Sequence, residues 1–426
     1  MTAPLPHPLK TAPDGVSSVR SAKSLNAPPP QTPETTTTTP QTTTPQPSEK
    51  TRQTRAEMFR RQRVAAKILP QQRVAHCGWS VMDLASLVSV VRRGAYARFQ
   101  GLQTCGSVWH CPSCSARISE VRRRELNDAL LAARSKGMLV ALITLTTRHK
   151  AEDDLPTLLN ALKKAKEHWH NSRTYKGHKA NIRGAITATE LTHGKNGWHP
   201  HFHVLMFING PLDLLAFHQM KTALNDQWLA SLDACGLSGN GAAFDWQDAD
   251  KAGQYVAKWG AAEEMTLSAK KEGSEPEDTP AKTAGRHPFD LLRTAAVSPR
   301  DRALFFAYAI AFKGRRQLQW TPGLRDLLAV PETSDQAAAK PSDNPDEEAP
   351  ATPEEALSKP EVSDEEAATI QPSNADEWLV SIDRADWPAV RKKGRAHILE
   401  AIEDAPALSP LQPVLDGLDQ GPDVES

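Results

Sequence analysis

From Met138 onward the apolar positions fall into periods that can be read as elements. Leu139–Thr147 (LVALITLTT) is a short, almost unbroken apolar run, which predicts a buried strand. In Leu155–His170 the residues Leu158, Leu159, Leu162, Ala165 and Trp169 recur at helical spacing. Ile182–Leu191 (IRGAITATEL) alternates with period two. His199–Ile208 (HPHFHVLMFI) is a further strand, with turn chemistry at Gly194–Gly197 between the two. Asp213–Leu232 returns to the helical period, and Ala242–Trp246 predicts a short strand. The order β-α-β-β-α-β predicts an α+β domain of the split βαβ, or ferredoxin-like, kind around an antiparallel central sheet. A helix is expected over Asp248–Met265, a polar loop over 266–285 and a buried helix over Arg300–Phe312. GRRQLQWTPGLR then closes the domain.

Outside this body the periods fade. Residues 1–50 hold 11 prolines and 11 threonines, too little apolar area to offset ordering entropy, so a disordered arm is expected. In residues 51–73 every charge but Glu57 is positive. This predicts a short basic helix ending before Pro70, suited to a phosphate backbone. Beyond Val330 the chain is acidic and rich in alanine and proline, with a small helical unit expected over residues 373–404. Four parts follow: an arm (1–50), a basic region (51–137), the main domain (138–329) and a largely disordered acidic tail (330–426). The net charge of zero conceals a net of +15 over residues 51–326 and −16 over residues 327–426. A basic body suggests a polyanionic partner. The longest apolar run, Ala303–Phe312, is ten residues, too short for a bilayer. The first residues show no signal-peptide hydrophobic region. A cytoplasmic protein without membrane contact is expected.

Four of the five cysteines cluster: Cys77, Cys105, Cys111 and Cys114, in the spacing C-x27-C-x5-C-x2-C. Five cysteines in 426 residues make no disulfide scaffold. Cys111-Pro-Ser-Cys114 has the form of a thiolate knuckle, and two further cysteines flank it, which favours structural Zn²⁺ over a redox pair. A hairpin within Val81–Phe99 would return Cys77 to the others, and His110 is an alternative ligand. The helix after the knuckle carries Arg117, Arg122, Arg123 and Arg124, a candidate phosphate grip. Cys235 is expected to be an inert thiol.

Side chains alternate faces along a strand, so His199, His201 and His203 share one face. With Asn196-Gly197 as a two-residue turn, Glu190 lies opposite His203, and a slip of two keeps Glu190 on the histidine face. Two imidazoles and a carboxylate with open positions suit a catalytic divalent ion. The third ligand is Glu190 or His199. In QYVAKWG, Tyr255 and Lys258 stand three apart on a helix and share a face. A tyrosine hydroxyl is a poor nucleophile near its usual pKa of about 10, so it needs an activator.

The ordered set ITLTT, WHPHFHVLMF and YVAK resembles the three motifs of the HUH single-strand endonucleases, the rolling-circle replication initiators (Rep proteins) of bacterial plasmids. CGSVWHCPSCSARI and KGRRQLQWTPGLR resemble one Rep family, including actinobacterial members, over roughly Arg73 to Asp326. The resemblance implies that residues 138–329 form an HUH nuclease domain. It implies that His201 and His203 bind Mg²⁺ or Mn²⁺. It implies that Tyr255 cleaves one origin strand and keeps a 5′-phosphotyrosine link. It implies that Lys258 supports the step, and that the freed 3′-hydroxyl serves a host polymerase, with a host helicase. Some members place a glutamate one turn before the tyrosine. Here Lys251 stands there, with Asp248 and Asp250 the nearest carboxylates, Asp248 on the tyrosine's face. An HUH transposase or relaxase, or a zinc-dependent DNA-binding regulator without catalysis, is the alternative. Absence of a second tyrosine beside Tyr255 argues against a two-tyrosine mechanism. A homodimer is left open, as are the origin sequence and the role of the tail.

Overall fold

The computed structural model describes residues 47–82, 85, 87–93, 96–210, 212–247, 285–340 and 377–405. Helix α1 (Glu49–Ile68) opens the described chain, and the Ser48 hydroxyl accepts the Thr51 amide to cap it. It stops at Leu69, the residue before Pro70, as the steric cost of the α region before proline requires. Strands β1 (Leu87–Arg93) and β2 (Tyr96–Gln100) form the hairpin between Cys77 and Cys105. Helix α2 (Pro112–Ser135) starts with proline in its first turn, and Cys111 is its N-cap.

The main domain follows the expected order. It runs β3 (Leu139–Leu145), α3 (Leu155–Asn171), β4 (Ile182–Gly194), β5 (Gly197–Ile208), α4 (Leu214–Ala234) and β6 (Phe244–Gln247). Helix α5 (Pro299–Phe312) and the edge strand β7 (Leu318–Trp320) complete it. The five strands lie in the order β6-β3-β5-β4-β7, and every neighbouring pair is antiparallel. Helices α3 and α4 cover one face: Leu162, Ala165 and Trp169 with Leu224, Trp228 and Leu232 meet Phe202, Val204, Met206 and Ile208 of β5. On the other face Leu126, Ala129, Leu130 and Ala133 of α2 meet Leu142, Ile186, Leu205 and Phe207. Apolar side chains on both faces explain why β5 reads as a continuous apolar run rather than an alternation.

One expected detail is corrected. The β4–β5 turn is Lys195-Asn196, and Gly194 pairs with Gly197. Gly197, not Asn196, takes the left-handed backbone (φ +80°) and closes the turn from just outside it. The register therefore slips by two: Glu190 lies opposite His201, and Ala188 opposite His203. Face parity survives because the slip is even.

The end of the described chain returns to its beginning. Strand β8 (Glu377–Asp383) pairs antiparallel with β1, giving a second sheet in the order β2-β1-β8. Helix α6 (Arg395–Asp404) then packs Ile398, Leu399 and Ile402 with Val88, Val90, Val380, Ile382 and Trp387 in a separate core. Residues 377–383, expected within a helical unit, are strand because Val380 and Ile382 alternate inward against β1. Tyr255, Lys258, Asp248, Asp250, the helix expected over Asp248–Met265 and almost all of the loop over 266–285 lie outside the described residues.

Candidate metal centres

Strand alternation delivers the histidines to the face that β5 turns toward α2, beyond the last apolar contact at Leu205. There Glu190 reaches from β4 between two imidazoles. His201 Nε2 lies 3.0 Å and His203 Nε2 2.9 Å from the same oxygen, Glu190 Oε2. The three donor atoms fall within 4.8 Å of one another. Glu190 and His203 are buried and His201 is nearly so. Burial pushes the Glu190 carboxyl upward, but the two imidazole hydrogen bonds and charges outweigh it and hold it well below the usual carboxylate range. A carboxylate ionised at neutral pH and two imidazoles are a hard and borderline donor set that suits a divalent ion.

The surroundings orient the ligands. Thr144 of β3, directly across from His203, brings its hydroxyl to 3.2 Å from His203 Nδ1. A hydroxyl accepts or donates, so Thr144 serves either tautomer of that ring. His201 Nδ1 is buried with no hydrogen-bond partner among the described residues. His199 stands apart: its Nε2 lies 2.9 Å from Thr146 Oγ1, and it is absent from the ligand group formed by Glu190, His201 and His203. Burial, with His201 nearby, lowers its pKa to about 4. Of the two candidates for third ligand, Glu190 is the one the fold brings to the histidine pair.

Sequence reading missed three neighbours. Thr144 was visible in ITLTT, where alternation aligns it with Thr146. His149 stacks on His199 with ring centroids 4.8 Å apart. His287 enters from the other side of the chain: Arg286 exchanges two backbone hydrogen bonds with His193 at the tip of β4. His287 Nδ1 then accepts the Phe289 amide, and Asp290 accepts the His287 amide, a reciprocal cap for the short helix Pro288–Leu291. Burial lowers the His287 pKa to about 4, against the opposing pull of Glu190. The local signal was His-Pro-x-Asp, a cap motif; its nearness to Glu190 had none.

The second centre is the cysteine cluster. The sulfurs of Cys77 and Cys114 are 3.5 Å apart, Cys105 and Cys114 3.6 Å, and Cys77 and Cys111 3.7 Å. A tetrahedron with metal–sulfur bonds of about 2.3 Å has edges of about 3.8 Å, so the four thiols already stand close to the spacing of such a shell. All four are buried and unoxidised. Burial pushes the Cys111 thiol well above its ordinary value, so four ionised sulfurs call for a cation among them. Gln62 of α1 braces the shell, donating to Cys111 Sγ (3.3 Å) and to the Cys77 carbonyl (3.1 Å). Its own carbonyl oxygen accepts from Ser113 and from Arg395 of α6. His110 lies outside the cluster, bonded through Nε2 to the Ala309 carbonyl. Cys235 is the half-buried C-cap of α4.

Both expected phosphate grips are largely engaged within the protein. On α2, Arg122 is buried against Glu125 and Asp335, and Arg123 and Arg124 bond Glu120. On α1, Arg52 holds Asp404, Arg55 holds Glu403, Arg60 and Arg61 hold Glu57, and Arg63 lies 3.8 Å from the Trp79 ring centre. Sequence could not show these partners, because several lie more than 200 residues away.

Residues 96–227 match the family model described as "Replication protein". That span contains Glu190, His201 and His203 and three of the four clustered cysteines. A protein of Streptomyces lividans named "Protein rep" is 28% identical over 321 residues, covering 58% of this chain and 69% of its own length. A "Neomycin resistance protein" of Streptomyces cyanogenus is 30% identical over 137 residues, covering 26% of this chain and 31% of its own length. No solved structure gives a significant match. Among the described residues no helix is long and apolar enough to cross a membrane. The chain is thus similar to replication proteins, and the span that the family model matches holds the histidine site and most of the cysteine cluster.

Proposed function

We propose that the chain initiates rolling-circle replication of a plasmid by metal-dependent nicking of one origin strand. The observation that carries this reading is the convergence of buried Glu190 and His203 with the nearly buried His201 on one face at the polar end of a central strand. The sheet order and the β-α-β-β-α-β succession support the ferredoxin-like HUH assignment for residues 138–329. Glu190, His201 and His203 would hold Mg²⁺ or Mn²⁺, which when bound supplies Lewis-acid polarisation of a phosphate. Tyr255 is the nucleophile and forms the 5′-phosphotyrosine bond as the 3′-oxygen of the cut strand leaves. Lys258 stabilises charge on the phosphate. The four cysteines hold Zn²⁺ in the region 51–137. Origin DNA is the substrate, and host helicase and polymerase extend the freed 3′-hydroxyl.

The test is a labelled supercoiled plasmid carrying the cognate origin, incubated with protein and Mn²⁺ and then resolved on a denaturing gel. Nicked product and a covalent adduct on the peptide containing Tyr255 are expected, both lost in Tyr255→Phe with DNA binding kept. EDTA and His203→Ala should abolish nicking in the same assay. An adduct on Tyr175 or Tyr308, or normal nicking by Tyr255→Phe, would remove the assignment. Tyr175 and Tyr308 are buried core residues whose hydroxyl pKa burial raises.

A further inference from the structure

The histidine site does not end at its ligands. His203, His201, His199 and His149 form an unbroken row of imidazoles, with successive ring centroids 4.8, 5.2 and 4.8 Å apart. The first pair is edge-to-face at 83°, suited to converging ring nitrogens; the last is nearly parallel at 25°. His149 is partly exposed, and its one ring contact among the described residues is His199. We infer that the His149–His199 stack is a platform for a nucleobase of single-stranded DNA, next to the phosphate held at Glu190, His201 and His203. This inference rests on the DNA-nicking reading above.

Three observations support a built platform rather than a chance contact. Each ring is pinned from a different element. His149 Nδ1 bonds the Asn196 carbonyl at 2.8 Å, across the β4–β5 turn, and His199 Nε2 lies 2.9 Å from Thr146 Oγ1 on the chain leaving β3. The loop carrying His149 is clamped on the turn: a Cβ on Gly197 would stand 2.9 Å from Ala151 Cα and 3.0 Å from the Lys150 carbonyl. The Arg148 amide is tied to the Ser238 carbonyl at 2.8 Å. Around the platform Arg148, Lys150 and Lys195 are exposed cations. A flat, preorganised π-face with cations at its rim is how proteins hold unpaired bases without reading their identity. The platform adjoins Glu190, His201 and His203, which would hold an ion for the scissile phosphate, so the base it receives belongs to a nucleotide flanking that phosphate.

The experiment uses the full chain and fluorescence anisotropy with two labelled probes of equal length and charge. One is a thymidine oligonucleotide; the other is the same backbone made wholly of abasic residues. His149→Ala should weaken thymidine binding by about 5- to 150-fold, the range for loss of one stacked base, and leave the abasic probe unchanged. His149→Trp should restore thymidine binding. Equal losses on both probes, no loss on either, or failure of the tryptophan to rescue would overturn the platform. The nicking assay separates the two readings. Base-dependent binding without nicking sinks the proposed activity and keeps the platform; nicking with thymidine binding unaffected by His149→Ala does the reverse.

Discussion

Glu190 presents one oxygen to two imidazoles, so its charge is the group that keeps His201 and His203 together. Glu190→Gln retains the shape and removes the charge. Mn²⁺ affinity, followed by the electron-spin signal of the free ion, should fall by more than the roughly 10–100-fold typical of an outer-shell change. An unchanged affinity would transfer the ligand role away from Glu190. Lys166 is a second telling residue. Its ammonium sits 4.8 Å from the Phe202 ring and donates to Gln319 at 3.0 Å. Burial, then the neighbouring Lys163, lowers its pKa to about 8 against the upward pull of Glu167. A lysine with a depressed folded pKa binds fewer protons folded than unfolded between about pH 8 and its ordinary value near 10.4. Its presence therefore penalises the fold below pH 8, and stability rises with pH across that window. Lys166→Met should melt a few degrees higher at pH 7 and lose that part of the rise; parallel melting curves for the two proteins from pH 7 to 10 would contradict it.

At the scale of elements the β4–β5 hairpin decides most, because its turn fixes which residues of two long strands face each other. Gly197 takes φ +80° there and lies against Ala151. Gly197→Val should cost about 2–3 kcal/mol from left-handed backbone strain and displacement of the 148–151 loop. A denaturant midpoint equal to wild type would show that the turn relaxes freely. The same hairpin shows what a sequence reveals. Period-two alternation set the face of Glu190, His201 and His203 correctly, since parity depends only on local pattern. The register was off by two because either Gly197 or its predecessor pair can supply the left-handed residue, and sequence does not choose between a turn glycine and one just after it. Helices α3, α4 and α5 were legible from their apolar positions, and the structure adds Asp154, Asp213 and Ser298 as their caps. The arginines of α2 were misjudged because helical spacing shows that a side chain is on a face, not that Asp335 lies across from it.

For the molecule as a whole, the second sheet alters what the acidic C-terminal region means. Glu403 is buried, holds Arg55 with both oxygens and accepts the Ala97 amide. Arg395 lies over the Phe59 and Trp79 rings and bonds Gln62, which bonds Cys111. Truncation after Val330 therefore removes β8 and α6 and bares the core they share with β1. Aggregation or broadened unfolding is expected, and a melting curve equal to that of the full chain would mean that β8 and α6 contribute little. The Gln62 link makes a second expectation. Cys111→Ser should lose metal by elemental analysis and also raise amide hydrogen exchange in residues 395–404, which sit far away in sequence. Exchange confined to residues 77–114 would uncouple the two. Neither β8 nor this link was legible, since pairing between residues some 290 apart leaves no local periodicity.

That long-range pairing has a consequence for how the protein is made. Strand β1 leaves the ribosome with Val88 and Val90 ready to bury and one edge unpaired, while its partner β8 is still to be translated. At about 5–20 residues per second, the wait is on the order of tens of seconds. During it the main domain, whose strands all precede β8 in the chain, has everything it needs to fold. The cysteine shell, braced through Gln62 to a helix that arrives last, does not. Synthesis thus imposes an order that runs against the chain: the histidine site forms first, and the region that begins the fold is completed by its end.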